Sequence, residues 1–285
     1  MLLELGPYPF DITYRALVMG ILNRTPDSFF DGGQYWDFDA FLRKAEGLVE
    51  DGADFLDVGG SKAGPGPEVT VAEELDRVVP AIEALKARFD LPISVDTFRG
   101  SVARASYEAG ACVGNDISGF ADPEFLPAAA DHGASVVACH IRLAPRVPDP
   151  DPDYSGDGGV VPAVRTFCAT RAQWALDAGI PKQRIMVDAG LDLSKTPAMS
   201  AELLRNSDDL VGLGFPVFLS HSNKGFLGEL VGTEVDDRRE ATMAASALGI
   251  GLGCRILRAH DVKGNRRVAD TMAEFLQARS ETDAA

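Results

Sequence analysis

The chain has 285 residues, 46% hydrophobic and 25% charged, so it can bury one sizeable core, and its length fits a single domain better than two. Its 27 basic against 43 acidic side chains leave a net charge of −16, which argues against a nucleic-acid backbone or an anionic membrane surface as partner and requires a local basic pocket for any anionic ligand. No run approaches the roughly 18 apolar residues of a membrane span, and MLLELGPYPF has neither the basic start nor the apolar length of a signal peptide, so a cytoplasmic protein is expected.

From residue 17 on, short apolar runs end in polar or charged residues, and a helical pattern follows each. Run 17–22 ends in Asn23, with a helix predicted over 38–49. Run 55–56 ends in Asp57, and over 71–89 Leu75, Val78, Val79, Ile82, Leu85 and Phe89 recur at three and four residues, which marks one packed helix face. Runs 93–95 and 111–114 end in Asp96 and in Asn115-Asp116, with helices at 100–109 and 123–132. Run 135–139 ends in His140 before a helix at 160–178, and run 185–187 in Asp188 before one at 200–210. Runs 217–219 and 256–257 end in Ser220-His221 and in Arg258, with helices at 238–252 and 262–278. Eight βα units predict an α/β fold, a TIM (β/α)8 barrel in a single domain over about 16–278, with a frayed polar tail at 279–285. All strands of such a barrel point their carboxyl ends at one rim. Four aspartates, two asparagines, two histidines and an arginine are therefore expected there, and a structural barrel needs none of them.

Stretches 23–37, 59–70 and 141–159 are longer than barrel connections require, and the strand order puts all three at that rim. The first carries TPDSFFDGG; the third, PDPDPDYSGDGG, reads as an acidic solvated loop. Cys112, Cys139, Cys168 and Cys254 form no CxxC pair and are expected to be buried thiols.

Seven short strings occur in order along this frame: MGILNRTPDSFFDGG, DVGG, SVDT, GND, VDAG with SKT, SNKGFLG and LRAHDV. Together they resemble dihydropteroate synthase, the folate-pathway enzyme that sulfonamides inhibit, over essentially 17–278. The residue types agree with that family's ligand. A pterin ring has an aminopyrimidine donor edge beside ring acceptors, so a site that reads it needs a carboxylate, an amide and a cationic donor. Asp96, Asn115, Asp188 and Lys224 supply them. A single aspartate at a strand end is as readily a helix N-cap, but independent caps have no reason to form this donor and acceptor set. The resemblance implies that Asp188 pairs with the pterin amine and N–H, that Asn115 and Asp96 take the remaining pyrimidine positions, and that Lys224 meets the ring oxygen and N5.

The first and last strands of a closed barrel are neighbours, so Asn23 meets Arg258 and His260, and the helix that starts just beyond them adds N–H donors. The resemblance implies a diphosphate there, held by Arg258 and His260, with Asn23 binding a Mg2+ across its oxygens. On this reading Arg258 addresses only the charged tail of the substrate. The implied reaction is substitution at the pterin methylene carbon, with the amine of p-aminobenzoate entering and diphosphate leaving. Asp31, Lys224 and Arg258 are the implied catalytic residues, Asp31 steadying the developing cation. Phe29, Pro65 and Leu193 form the implied aryl-amine pocket, Gly32 and Gly33 the hinges of a closing loop, and the last helices a homodimer interface.

Three places depart from the family pattern. Ser61-Lys62-Ala63-Gly64-Pro65-Gly66 stands where the family has ESTRPG, so a threonine and an arginine are missing, and Lys62 lacks the planar fork of the latter. Asp192-Leu193-Ser194-Lys195 stands where a Gly-Phe precedes Gly-Lys, and His221-Ser222-Asn223-Lys224 where Ser-Arg-Lys is usual. The pterin set is intact and the aryl-amine side is degraded, which resembles the divergent second branch carried beside a conventional copy in some actinobacteria. Three functions are compatible with this. One is a working, slow synthase; another is a pterin or folate-like ligand binder, or a synthase of altered second substrate. The third, a corrinoid-linked pterin-binding methyltransferase, leaves TPDSF, Arg258 and LRAHDV unexplained.

Overall fold

The computed structural model describes residues 1–24, 37–62, 64, 66 and 68–283. The chain opens with an antiparallel hairpin, β1 (Leu2–Leu5) and β2 (Tyr8–Asp11), in which Leu5 stands opposite Tyr8. Eight parallel strands follow: β3 (Leu17–Asn23), β4 (Phe55–Gly59), β5 (Ile93–Asp96), β6 (Val113–Asp116), β7 (Ser135–Cys139), β8 (Ile185–Asp188), β9 (Val217–Ser220) and β10 (Ile256–Ala259). They close into a barrel in chain order, with β10 paired to β3. The expected TIM barrel is the fold.

The helices around it are α1 (Phe38–Glu50), α2 (Val71–Arg88), α3 (Gly100–Glu108), α4 (Phe125–Asp131) and α5 (Val160–Asp177), then α6 (Pro197–Arg205), α7 (Ser207–Val211), α8 (Gly225–Val231), α9 (Arg239–Gly251) and α10 (Val262–Asp283). Local chemistry sets several starts. Thr70 and Glu73 form a reciprocal capping box on α2, and Thr196 caps α6 with Pro197 in its first turn. The single helix expected over 200–210 is two, which part at Asn206, where φ of −114° and ψ of 32° leave the helical region. The last helix, α10, extends past its expected end at 278, to Asp283.

Strand periodicity divides the apolar residues into two cores. Val18, Leu22, Leu56, Val58, Ile93 and Val95 pack outward against helices, while Met19, Phe55, Val113, Val137, Met186, Phe218 and Ile256 fill the barrel. Leu3, Leu5 and Ile12 belong to that inner cluster and are fully buried, so the hairpin plugs the amino end of the barrel. It is pinned to β7: Gly6 N–H donates to Ser135 Oγ at 2.9 Å, and Ser135 Oγ donates to Glu4 O at 2.6 Å. Gly6 has φ of +58°, and a Cβ there would lie 2.5 Å from Cys112 Cβ, so both conformation and space require glycine. All four cysteines are free, three of them buried.

Candidate functional site

The two-residue period that fills the barrel also decides which polar side chains enter its mouth. Asp57, Asn115, Asp188 and Arg258 lie two positions beyond the inward Phe55, Val113, Met186 and Ile256, so they point in. Asn23 and Asp96 share that parity. The other three rim residues do not, which corrects the reading that all nine converge. The Asp116 carboxylate accepts from the N–H groups of Ser118 and Phe120 at 2.6 and 2.9 Å, and His221 Nε2 pairs with Ser246 Oγ at 2.6 Å. His140 sits edge-on to Phe167, with ring centroids 4.8 Å apart, and burial pushes its pKa down to about 2. These three hold turns and helices onto the barrel.

The inward residues form one floor. Arg258 donates from Nε to Asp57 Oδ2 at 2.7 Å and from Nη2 to Asp96 Oδ2 at 2.8 Å, and Asn115 Nδ2 donates to the same Asp57 oxygen at 3.3 Å. Asp57 is fully buried, and its Oδ1 has no hydrogen-bond partner among the described residues. Burial raises the Asp96 carboxyl to about 7 against the pull of Arg258, with Asp57 adding to the rise. Burial alone would lower the Arg258 pKa, but Asp57 and Asp96 hold it above its ordinary value. Arg258 therefore does more than await a charged tail: it carries two of the floor's carboxylates. Sequence reasoning gave Asp57 no role, although its spacing from Phe55 signals the orientation.

Asp188 is buried and accepts the Gly190 N–H at 2.8 Å; burial raises its pKa, and Lys224 is the first of the charges that oppose the rise. Lys224 stands at the N-cap of α8 and donates to Leu191 O at 2.6 Å. Asp192 joins the same two loops, accepting the Phe226 N–H of α8 at 3.2 Å while its own N–H donates to Ser200 Oγ at 3.1 Å. At the other edge a Cβ on Gly59 would stand 3.1 Å from Asn23 Oδ1 and 3.7 Å from Asp96 Cβ, so glycine keeps the space beside that amide oxygen open. Among the described residues no group of three or more His, Cys, Asp or Glu is gathered for a metal. His260 is held by Ser222 Oγ, 3.1 Å from both its backbone N and its Nδ1. The start of α10 is not an open anion site: Asp261 accepts the Gly264 N–H at 2.8 Å and takes Arg239 Nε at 2.8 Å.

Phe29, Asp31, Gly32, Gly33, Ala63 and Pro65 lie outside the described residues. Leu193 lines a cavity of about 240 Å³ with Ile141, Arg146, Pro148 and Lys195. Most of stretch 148–159 is exposed, as a solvated loop is, but it is anchored at particular residues. Tyr154 is buried and donates to Ser194 O at 2.8 Å, and the Asp149 side chain is sequestered by Arg142. Lys195, also buried, bonds His140 Nδ1 at 2.9 Å and the carbonyls of Gly190 and Leu193 at 2.9 and 2.8 Å, and burial lowers its pKa to about 7.

The family of pterin binding enzymes matches residues 19–260, a span that contains every inward residue of the floor. A dihydropteroate synthase of Streptococcus pyogenes is 39% identical over 271 residues, covering 94% of this chain and 98% of that one. A relative named inactive dihydropteroate synthase 2, from Mycobacterium bovis, is 41% identical over 271 residues, covering 94% of this chain and 85% of the other. The solved Yersinia pestis dihydropteroate synthase, in a sulfonamide drug complex, superposes with a TM-score of 0.91 at 34% identity, across 98% of this chain and 100% of its own. No helix among the described residues is long and apolar enough to cross a membrane. With the barrel, the polar floor and these likenesses in agreement, the chain belongs to the dihydropteroate synthase family of pterin-binding enzymes.

Proposed function

We propose that this chain condenses 6-hydroxymethyl-7,8-dihydropterin diphosphate with p-aminobenzoate, slowly, because its aryl-amine side departs from the family pattern. The observation that carries the reading is the floor itself, in which Asp96, Asn115 and Arg258 are joined through Asp57 while Asp188 lies within electrostatic reach of Lys224. Asp188 accepts from the pterin amine and ring N–H, Asn115 and Asp96 take the other pyrimidine positions, and Lys224 donates to the ring oxygen and N5. Arg258 uses two N–H groups on carboxylates, which leaves three of a guanidinium's five for the diphosphate, together with His260. The open space beside Gly59 fits Asn23 as the residue that would hold a Mg2+ through its amide oxygen. Bound there, the cation would offset charge on the leaving group. The amine nitrogen bonds to the methylene carbon and loses a proton, as the carbon–oxygen bond to diphosphate breaks.

A pterin binder without turnover is the second reading. It is favoured by the SKAGPG stretch and by the likeness to a relative named inactive. Exposed Leu248 on α9 and Phe275 on α10 support a homodimer through the last two helices. Two measurements separate these readings. Growth of a strain lacking its own dihydropteroate synthase, without added folate products, selects the synthase. Calorimetric titration of a pterin analogue should give micromolar affinity or better, weakened about 10- to 150-fold in Asp188→Ala by loss of a charged hydrogen bond. Pterin binding without growth selects the binder; absence of pterin binding by the wild type overturns both.

A further inference from the structure

A cavity of about 240 Å³ lies between stretch 141–159 and the loop that leaves Asp188, with Ile141, Val147, Pro148 and Leu193 as its apolar wall. Two carboxylates reach the same space, and both are engaged. Asp149 is gripped by Arg142, Nε to Oδ2 at 2.7 Å, and Asp192 accepts the Phe226 N–H at 3.2 Å. The Lys195 ammonium is drawn back from it by His140 and by the carbonyls of Gly190 and Leu193. Arg146 brings the one guanidinium of the described lining. It is half-buried, and it reaches across to the loop after β4, where Nη1 donates to Ser61 Oγ at 3.1 Å. Its Nη2 stands 3.6 Å from where a Cβ on Gly66 would be, and a Cβ on Gly64 would meet nothing within 4 Å. Gly64 and Gly66 thus leave room that a guanidinium from a different loop enters. An apolar slot with a planar cation at one end is the chemistry that receives an aromatic carboxylate.

We infer that Arg146 binds the carboxylate of the entering aryl amine and is a specificity-determining residue for the second substrate. The inference rests on the synthase reading above and adds to it a cation delivered by stretch 141–159, in place of one from the loop after β4. A pair of probes isolates the charge. The full chain, saturated with a pterin analogue, is titrated with p-aminobenzoate and with p-aminobenzamide, which has the same shape and no charge. The wild type is expected to prefer the acid. Arg146→Gln should weaken the acid about 10- to 100-fold and the amide less than about threefold, with Arg146→Lys recovering part of the loss. Ser61→Ala, which removes the contact across the loops and keeps the guanidinium, should retain the preference for the acid. Pterin affinity, measured in every variant, should stay within about twofold of wild type and reports the folded pterin site independently. Equal loss of acid and amide in Arg146→Gln, no loss of either, or a Ser61→Ala variant that forfeits the preference as fully as Arg146→Gln would each overturn the inference. A wild type that binds pterin and does not favour the acid overturns it while the pterin reading stands; one that binds no pterin overturns both.

Discussion

Asp96 shares a guanidinium with Asp57 in a largely buried site, and that crowding makes its charge sensitive near neutrality. Its carboxyl is raised from 3.8 to about 7, so the folded protein holds a proton between those pH values that an exposed carboxylate would have released. Two consequences follow with opposite uses of the same proton. The folded state binds more protons than the unfolded chain in that window, so the Asp96 contribution to stability falls as pH rises from 3.8 towards 7. The ionised carboxylate is the stronger acceptor for a pterin N–H, so pterin affinity should fall below about pH 7, by at most tenfold per unit. Titrations between about pH 6 and 8 should show this slope in the wild type and a flatter one in Asp96→Asn. An identical slope in both proteins would remove Asp96 from the account. At this scale the donor and acceptor inventory was readable from residue types at strand ends. The sharing of Arg258 between two carboxylates was not, because its partners lie 201 and 162 residues away along the chain.

The loop after β8 and the short α8 are one device. Asp192 and Ser194 have φ of +65° and +52°, a region that non-glycine residues enter at a cost and that aspartate tolerates better than most. The Asp192 side chain repays that cost by accepting from the first turn of α8, which starts beside Lys224. Asp192→Ala should remove the cap and keep the strain, costing about 1 kcal/mol or more and lowering Tm by about 2–4 °C per kcal/mol. Asp192→Asn keeps an acceptor and the backbone preference and should lose less. Thermal unfolding of the two variants checks this, and equal Tm values for Asp192→Ala and wild type would rule out the cap. The strand-end aspartates and amphipathic helices were legible because each reports a local period. A seven-residue α8, which begins within SNKGFLG and runs on to Val231, has too few turns for a period to emerge, and the break between α6 and α7 turns on the backbone of one residue, Asn206.

For the whole molecule, the hairpin at residues 2–11 matters most, because it seals the end of the barrel opposite the site. Leu5 is fully buried in the barrel's inner cluster, so Leu5→Ala should cost about 2–5 kcal/mol through lost contacts and a residual cavity. Urea unfolding should show a lower midpoint with an unchanged slope; an unaltered midpoint would mean that the hairpin is only loosely seated.

The sequence by itself determined the barrel, its chain-order closure and the chemical kinds of side chain available at the rim, because strand alternation, helix spacing and strand-end polarity are properties of a few consecutive residues. Only the tertiary structure decided which carboxylates Arg258 holds together, how the hairpin plugs the barrel and where Arg146 crosses to Ser61, a residue 85 positions away. Those facts depend on the register of each strand and on where long loops settle once the ring has closed. Both are set by contacts between segments that are distant along the chain, and no local period records them.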